Sequence, residues 1–327
     1  FKNGVYMEEP FDEMVISGLY KNGILHLDDL SFTKEKSTGL HIDGIIPLKD
    51  NSDRVAISME SNFSNLSLKF LHRFVPEFFN ISGLATGNIN LNGTNEETHF
   101  SYDVKIDKPE FDLVKMQSLA SKGHYNSKNL FIEVAQTKND NGYIYTSGNI
   151  PFDLNIGSRT FGKYFENDSV NLKTEAELSD LPFLSPYITD LDSADGNYKI
   201  FLDVKGPVGN LTRDGHILIQ DGVLYTQLLN DPIRLINGEA QLTNNKLIIK
   251  NLNADINIEN VENVGRKTPN TKIIGEINLN KFFNPHYNLK LKSKNASFRL
   301  LFLDIYGETN LDLSIFGRDT VYISGKI

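Results

Sequence analysis

The chain of 327 residues carries a net charge of −9, with 39% hydrophobic and 23% charged residues, a balance that belongs to folded protein and excludes extended disorder. Its lysines and arginines are scattered in sequence, so the concentrated positive charge that nucleic acid requires is missing and no nucleic-acid partner is expected. The lack of cysteine excludes disulfides, thiolate metal sites and a cysteine nucleophile.

Taken in chain order, the pattern is dominated by strands. Apolar residues alternate with polar ones at Val55-Ile57-Met59, Phe100-Tyr102-Val104-Ile106, Leu130-Ile132-Val134 and Val170-Leu172-Thr174-Ala176-Leu178. The same period continues at Leu252-Ala254-Ile256-Ile258 and Leu311-Leu313-Ile315. A period of two places one set of side chains on each face of a strand. Asn22-Gly23, Asn92-Gly93, Asn141-Gly142, Asp221-Gly222 and Asn237-Gly238 tolerate positive φ and predict the turns of short antiparallel hairpins. Three segments with crowded large apolar residues break the rhythm: SNLSLKFLHRFVPEFFN (64–80), SDLPFLSPYITDLD (179–192) and NASFRLLFLDIYG (295–307). They predict short helical insertions. No apolar run is long enough for a membrane-spanning helix and no signal peptide is visible. The chain opens FKNGVY and stops at ISGKI inside a strand pattern, as expected of a piece of a longer protein.

Glycine landmarks expose a repeat. Gly87, Gly196 and Gly307 open similar phrases (GNINLNG, GNYKIFLDVKG, GETNLDLSIFG) and stand 109 and 111 residues apart. Gly44, Gly148 and Gly275 each begin a Gly-x-Ile phrase, and Gly18, Gly123 and Gly238 form a third series in the same order. The extra length in one interval falls on NVENVGRKTPNTK (260–272). A period near 110 residues, without recurring linkers, favours one continuous sheet over a string of separate sandwiches. The expected repeat units are 1–50 (the end of a unit), 51–156, 157–280 and 281–327 (the start of a unit), within one continuous body over 1–327.

Residues that carry chemistry are not concentrated anywhere. The seven histidines fall at no metal-ligand spacing, and no nucleophile elbow, zinc-protease motif or P-loop occurs. DLDSADG (190–196) departs from a calcium loop: its glycine is seventh and the twelfth place is Phe201 rather than Glu. No catalytic residue, no metal site and no cofactor is expected. The long apolar faces remain, with few segments suited to covering helices. An all-β, elongated, repetitive antiparallel sheet curled into a hydrophobic trough, with short helical insertions, satisfies both observations.

Leu181 to Pro186 read L-x-x-L-x-P, Gly196 to Pro207 follow, and Asp214 to Leu224 read D-G-x-I-x-I-x-D-G-x-L. This succession resembles the repeats of the TamB family, within the AsmA-like group of bridge-type lipid transfer proteins of didermic bacteria. NGEAQLTNNKLIIKNLNADI (237–256) and IGEINL (274–279) continue it, and weaker copies at 78–94, 123–156 and 299–317 extend it over most of the chain. The resemblance implies a β-taco groove that moves phospholipid between inner and outer membranes and supports outer-membrane biogenesis. It implies a periplasmic location and an anchor in the inner membrane through an N-terminal helix outside this chain. It also implies a partner, an outer-membrane assembly-type β-barrel, met by a C-terminal region outside this chain.

The candidate groove-lining positions, facing phospholipid acyl chains, are the apolar members of the cleanest alternations. They are Ile89, Leu91, Tyr102, Val104, Ile106, Ile200, Leu202, Val204, Ile217, Ile219, Ala254, Ile256, Ile258, Leu311, Leu313 and Ile315. Two roles stay open for each: contact with lipid, or packing in a closed core. Phe201, apolar on the otherwise wet face of its strand, is a misfit. Two other functions share the strand-rich pattern: a scaffold or chaperone for outer-membrane protein assembly and secretion, and an extracellular β-solenoid adhesin. A polysaccharide-active solenoid enzyme would need a carboxylate cleft and aromatic platforms, and the chain has no Trp.

Overall fold

A computed structural model describes residues 1–6, 9–34, 38–47, 56–69, 81–94, 97–111, 114–126, 128–139, 141–155, 158–165, 167–181, 191–227, 229–258, 268–281, 284–300 and 305–327. The protein is all-β and antiparallel, with twenty strands among the described residues. Among the described residues helical turns are limited to 3-10 geometry at Val208–Asn210 and at residues 68–69, and no helix is long and apolar enough to cross a membrane.

The chain divides into two compact units. Unit one comprises Phe1–Asn139, Tyr145–Leu172 and Lys205–Leu211. Its strands are β1 (Lys2–Tyr6), β2 (Glu9–Lys21), β3 (Ile24–Lys34), β4 (Thr38–Pro47), β5 (Ile57–Ser67), β6 (Ile81–Gly93), β7 (Thr98–Phe111), β8 (Val114–Lys115), β9 (Ser118–Asn126) and β10 (Asn129–Asn139). Each pairs with the next in sequence, except that β7 pairs with both the two-residue β8 and β9. Unit two comprises Asp140–Ile144, Lys173–Val204 and Thr212–Ile327. There β14 (Thr212–Thr226), β15 (Ile233–Thr243), β16 (Lys246–Asp255), β17 (Thr271–Asn278), β18 (His286–Leu300), β19 (Ile305–Gly317) and β20 (Val321–Lys326) pair in the same next-neighbour order. β11 (Gly142–Pro151), β12 (Ser169–Asp180) and β13 (Leu191–Pro207) contribute residues to both units.

The turn between β2 and β3 uses Asn22 (φ 53°) and Gly23 (φ 85°), the two positive-φ residues that match hairpin twist. Three of the other expected turns are not turns, and Asn92-Gly93 forms the last paired residues of β6, opposite His99 and Thr98. Asp221-Gly222 lies inside β14 and Asn237-Gly238 inside β15, both beside register shifts. At Asp221 (φ 51°) the bulge uses the same positive-φ tolerance as a hairpin tip, whereas in β15 the positive φ falls on Leu235 (φ 49°) rather than on Asn237 or Gly238. The tip between β15 and β16 is instead Asn244-Asn245, with φ of 48° and 64°.

The helical insertions are corrected where they are described. Residues 64–67 finish β5, residues 179–180 finish β12 and residues 295–300 finish β18. For 295–300 the reason is a partner: Ala296 to Leu300 pair residue by residue with Thr309 to Ile305 of β19. Ladder hydrogen bonds to a waiting strand override a short crowded apolar run. Residues 70–80, 182–190 and 301–304, and most of the polar insertion at 260–272, lie outside the described residues.

The glycine landmarks take regular places. Gly18, Gly123 and Gly238 lie on β2, β9 and β15, Gly44, Gly148 and Gly275 on β4, β11 and β17, and Gly87, Gly196 and Gly307 on β6, β13 and β19. Apart from the two-residue β8, each landmark returns after six strands. Gly275 shows what the second series does. Its φ is +137°, and a Cβ there would strike the Asn288 carbonyl and lie 2.9 Å from Leu289 Cα on the neighbouring strand. Gly44 and Gly148 meet the carbonyls of Ser58 and Asn171 in the same way. The backbone is rolled at these points until the side-chain direction runs into the next strand, which only glycine permits.

Candidate functional site

Directly opposed residues of an antiparallel pair share a face, so the register sorts every strand into two sides. In unit one, Ile89 faces Tyr102, Leu91 faces Phe100, Gly87 faces Val104 and Ala85 faces Ile106 across β6–β7. The rows continue onto β5 through Met59 opposite Leu91 and Phe63 opposite Gly87, then onto β4 through Leu40 opposite Phe63 and Ile42 opposite Ser61. They run the other way through Tyr125 opposite Phe100 and Leu130 opposite Tyr125. The reverse face carries Asn88, Asn90 and Asn92 against Asp103, Ser101 and His99. One side of the sheet is apolar and the other is wet.

Unit two is built the same way. One row reads Ile219, Gly238, Leu252, Ile273, Leu291 and Leu313 from β14 to β19. The next reads Ile217, Ala240, Ile249, Gly275, Leu289 and Ile315. A third joins Ala254, Thr271, Ser293 and Leu311. Ile200 packs with Ile219 around buried Ala176, Leu178 and Tyr198, and Leu202 and Val204 follow it at alternate positions of β13. Ile258 lies beyond the end of β16, where its N–H donates to Ser297 Oγ at 2.9 Å.

Burial divides the sixteen candidate positions. Ile106, Ala254, Ile256 and Leu311 are buried and belong to packed clusters or closed rows, so they are core. The other twelve, from Ile89 to Ile315, are only half-buried. Aliphatic side chains held side by side yet partly open are the feature that sets this face apart. The same rows hold further residues that clean alternation does not mark, among them Leu40, Ile42, Ile249, Ile273 and Leu289. Their alternation is interrupted by glycines and bulges, such as the shift between Ile249 and Leu252.

Large side chains cover the glycines on this face. A Cβ on Gly123 would lie 3.0 Å from Tyr102 Cε1, so the Tyr102 ring rests on the gap that Gly123 leaves. Burial pushes the Tyr102 phenol above its usual range, partly offset by its hydrogen bond with Ser121 Oγ at 3.3 Å. Burial acts on Tyr287 in the same direction. Both phenols stay neutral at physiological pH, so no charge develops on the apolar side from them.

One end of the unit-one face is roofed by a polar loop. Phe152 packs edge-on against Tyr164 with centroids 4.9 Å apart, and the Tyr125 hydroxyl accepts the N–H of Leu154 at 3.0 Å. Asp153 fastens the loop: it accepts from the N–H and side-chain amide of Asn155 and from the hydroxyls of Ser158 and Thr160. Burial opposes its ionisation, but these hydrogen bonds prevail and hold its carboxyl below the usual range.

The wet face is laced by exposed pairs such as Lys199–Glu177 at 3.0 Å and His124–Glu133 at 3.2 Å. Phe201 finds its partner here, stacked on His216 with centroids 4.6 Å apart. Phe131 and His124 stack in the same manner at 4.8 Å. Among the described residues no group of His, Asp and Glu is arranged to hold a metal, and no buried side-chain polar atom lacks a hydrogen bond. Comparison of the chain with known protein families, curated proteins and solved structures found no match.

Proposed function

We propose that this chain is a segment of a hydrophobic trough that conducts phospholipid acyl chains between the two membranes of a didermic bacterium. In this reading the half-buried aliphatic rows are the lining, the wet face meets the periplasm, and lipid head groups travel at the open rim. The observation that carries it is the register itself, which sets apolar rows on one face and leaves twelve of the sixteen candidate positions partly open. An inner-membrane anchor and an outer-membrane barrel partner outside the chain, and a role in outer-membrane biogenesis, belong to the same proposal.

The energetics favour such a surface. At about 0.8 kcal/mol per methylene, exposing a sixteen-carbon acyl chain costs on the order of 13 kcal/mol, and a two-chain lipid about 26 kcal/mol. A carrier must supply apolar contact along the whole route without one deep well that would trap the cargo. Repeated rows of Ile, Leu and Val, separated by the ~4.8 Å strand spacing, supply that contact evenly.

The decisive experiment places a photocrosslinking amino acid at positions 202 and 219 and identifies the adducts by mass spectrometry. Phospholipid adducts are expected. Adducts to nascent outer-membrane polypeptide would replace this reading with the assembly-scaffold one, and the absence of both would remove it. Ile219→Asp and Leu202→Asp are expected to stop lipid transfer while circular dichroism still reports a folded sheet.

A further inference from the structure

We propose that unit two holds a binding site for a phosphate-class oxyanion at the bulge of β18, independent of the lipid reading of the apolar face. In β18 the register with β19 jumps from Ser293–Leu311 to Ala296–Thr309, so Lys294 and Asn295 together stand against Asn310, a bulge of one extra residue, and Asn295 takes φ 52° to accommodate it. A cavity of about 620 Å³ opens at this point, lined among others by Lys272, Lys292 and Lys294. The fold brings Lys272 of β17 to Lys292 and Lys294 of β18.

The charges there are unbalanced. Lys272 stands directly opposite Lys292 across β17–β18, an arrangement of like charges that destabilises a strand pair. Lys292 is compensated by Asp312 at 3.1 Å. Among the described residues neither Lys272 nor Lys294 has an acidic partner. Two ammonium groups without an acidic partner among the described residues therefore line one cavity, in a chain whose net charge is −9. The amide of Asn270, also in the lining, is spent on Ile256 O, Asn257 Oδ1 and Asn295 O, which leaves the lysines, with the side-chain amides of Asn253, Asn295 and Asn310, as the donors a ligand would meet. Compact ammonium donors around an open cavity suit a tetrahedral oxyanion better than a planar ligand. An inorganic phosphate and the phosphodiester of a lipid head group present the same chemistry.

The test titrates the whole chain by calorimetry, at constant ionic strength, with inorganic phosphate and separately with a short-chain phosphatidylglycerol below its micellar concentration. At least one should bind saturably. K272Q/K294Q should weaken that binding by about tenfold or more, equivalent to at least ~1.4 kcal/mol. K272R/K294R, which keeps the charge, should retain it. K2Q/K21Q, which removes the same charge from unit one, should also leave it unchanged. Saturable phosphate binding identifies the free anion as sufficient, whereas phospholipid binding alone identifies the head group if K272Q/K294Q weakens it, and removes the site if that variant leaves it unchanged. If neither ligand saturates, or if both glutamine doubles weaken binding equally, the site does not exist.

Discussion

Asp153 shows how much one side chain can hold. It is buried yet charged, and four donors from Asn155, Ser158 and Thr160 stabilise that charge. Its folded pKa lies below the unfolded one, so its contribution is complete above the unfolded value and is lost as pH falls through the folded value. Asp153→Asn should therefore lower stability at neutral pH by about 1–3 kcal/mol, and the gap from the parent chain should close in acid. Urea unfolding followed by circular dichroism across that pH range measures both. Gly275 makes a second residue-scale case. Gly275→Ala forces a Cβ into the backbone of β18 at a positive φ, for an expected loss of about 3 kcal/mol. Gly307, the landmark with open space around its Cα and no positive φ, should accept alanine with little change, and thermal melts of the two variants should separate them clearly.

At the scale of strands, exposure sets the order of opening. All six residues of β20 are exposed and the strand pairs with β19 through a short register, whereas β18 is bonded on both sides by β17 and β19. Amide hydrogen exchange should find β20 at least about 100-fold less protected than the centre of β18. The same scale marks how far the sequence could be read. Clean alternation in β7, β12 and β19 revealed strands and faces directly, because a period of two is the geometry of a strand. The bulges left no such mark. Leu130-Ile132-Val134 looks continuous, but the register shifts between Ile132 and Val134 and sets Val134 opposite Lys122. The same ambiguity made Asp221-Gly222 look like a turn and Asn295 to Leu300 look like a helix. Partner strands distant in sequence decide those cases. Phe201 was unreadable for a related reason: its partner His216 sits on another strand, and their stack exists only after folding.

For the whole molecule, the net charge of −9 would govern encounters with lipid if the proposed function holds. Under the proposed function, an anionic vesicle repels the chain at low ionic strength, and salt removes that barrier once the Debye length falls below about 10 Å. Lipid extraction from vesicles rich in phosphatidylglycerol should accelerate from low to moderate salt, while extraction from neutral vesicles should not, as a fluorescent-lipid assay would report. The recurrence of the landmark glycines every six strands has a further consequence, for inheritance. Six is even, so a chain that gains or loses one such block leaves the next strand running in its former direction, with its glycines still beside equivalent neighbours. A block with an odd number of strands would reverse everything downstream, and a single inserted residue would turn a strand's oily side outward. A gene for such a protein can lengthen or shorten in steps of about 110 codons and keep both direction and glycine neighbours.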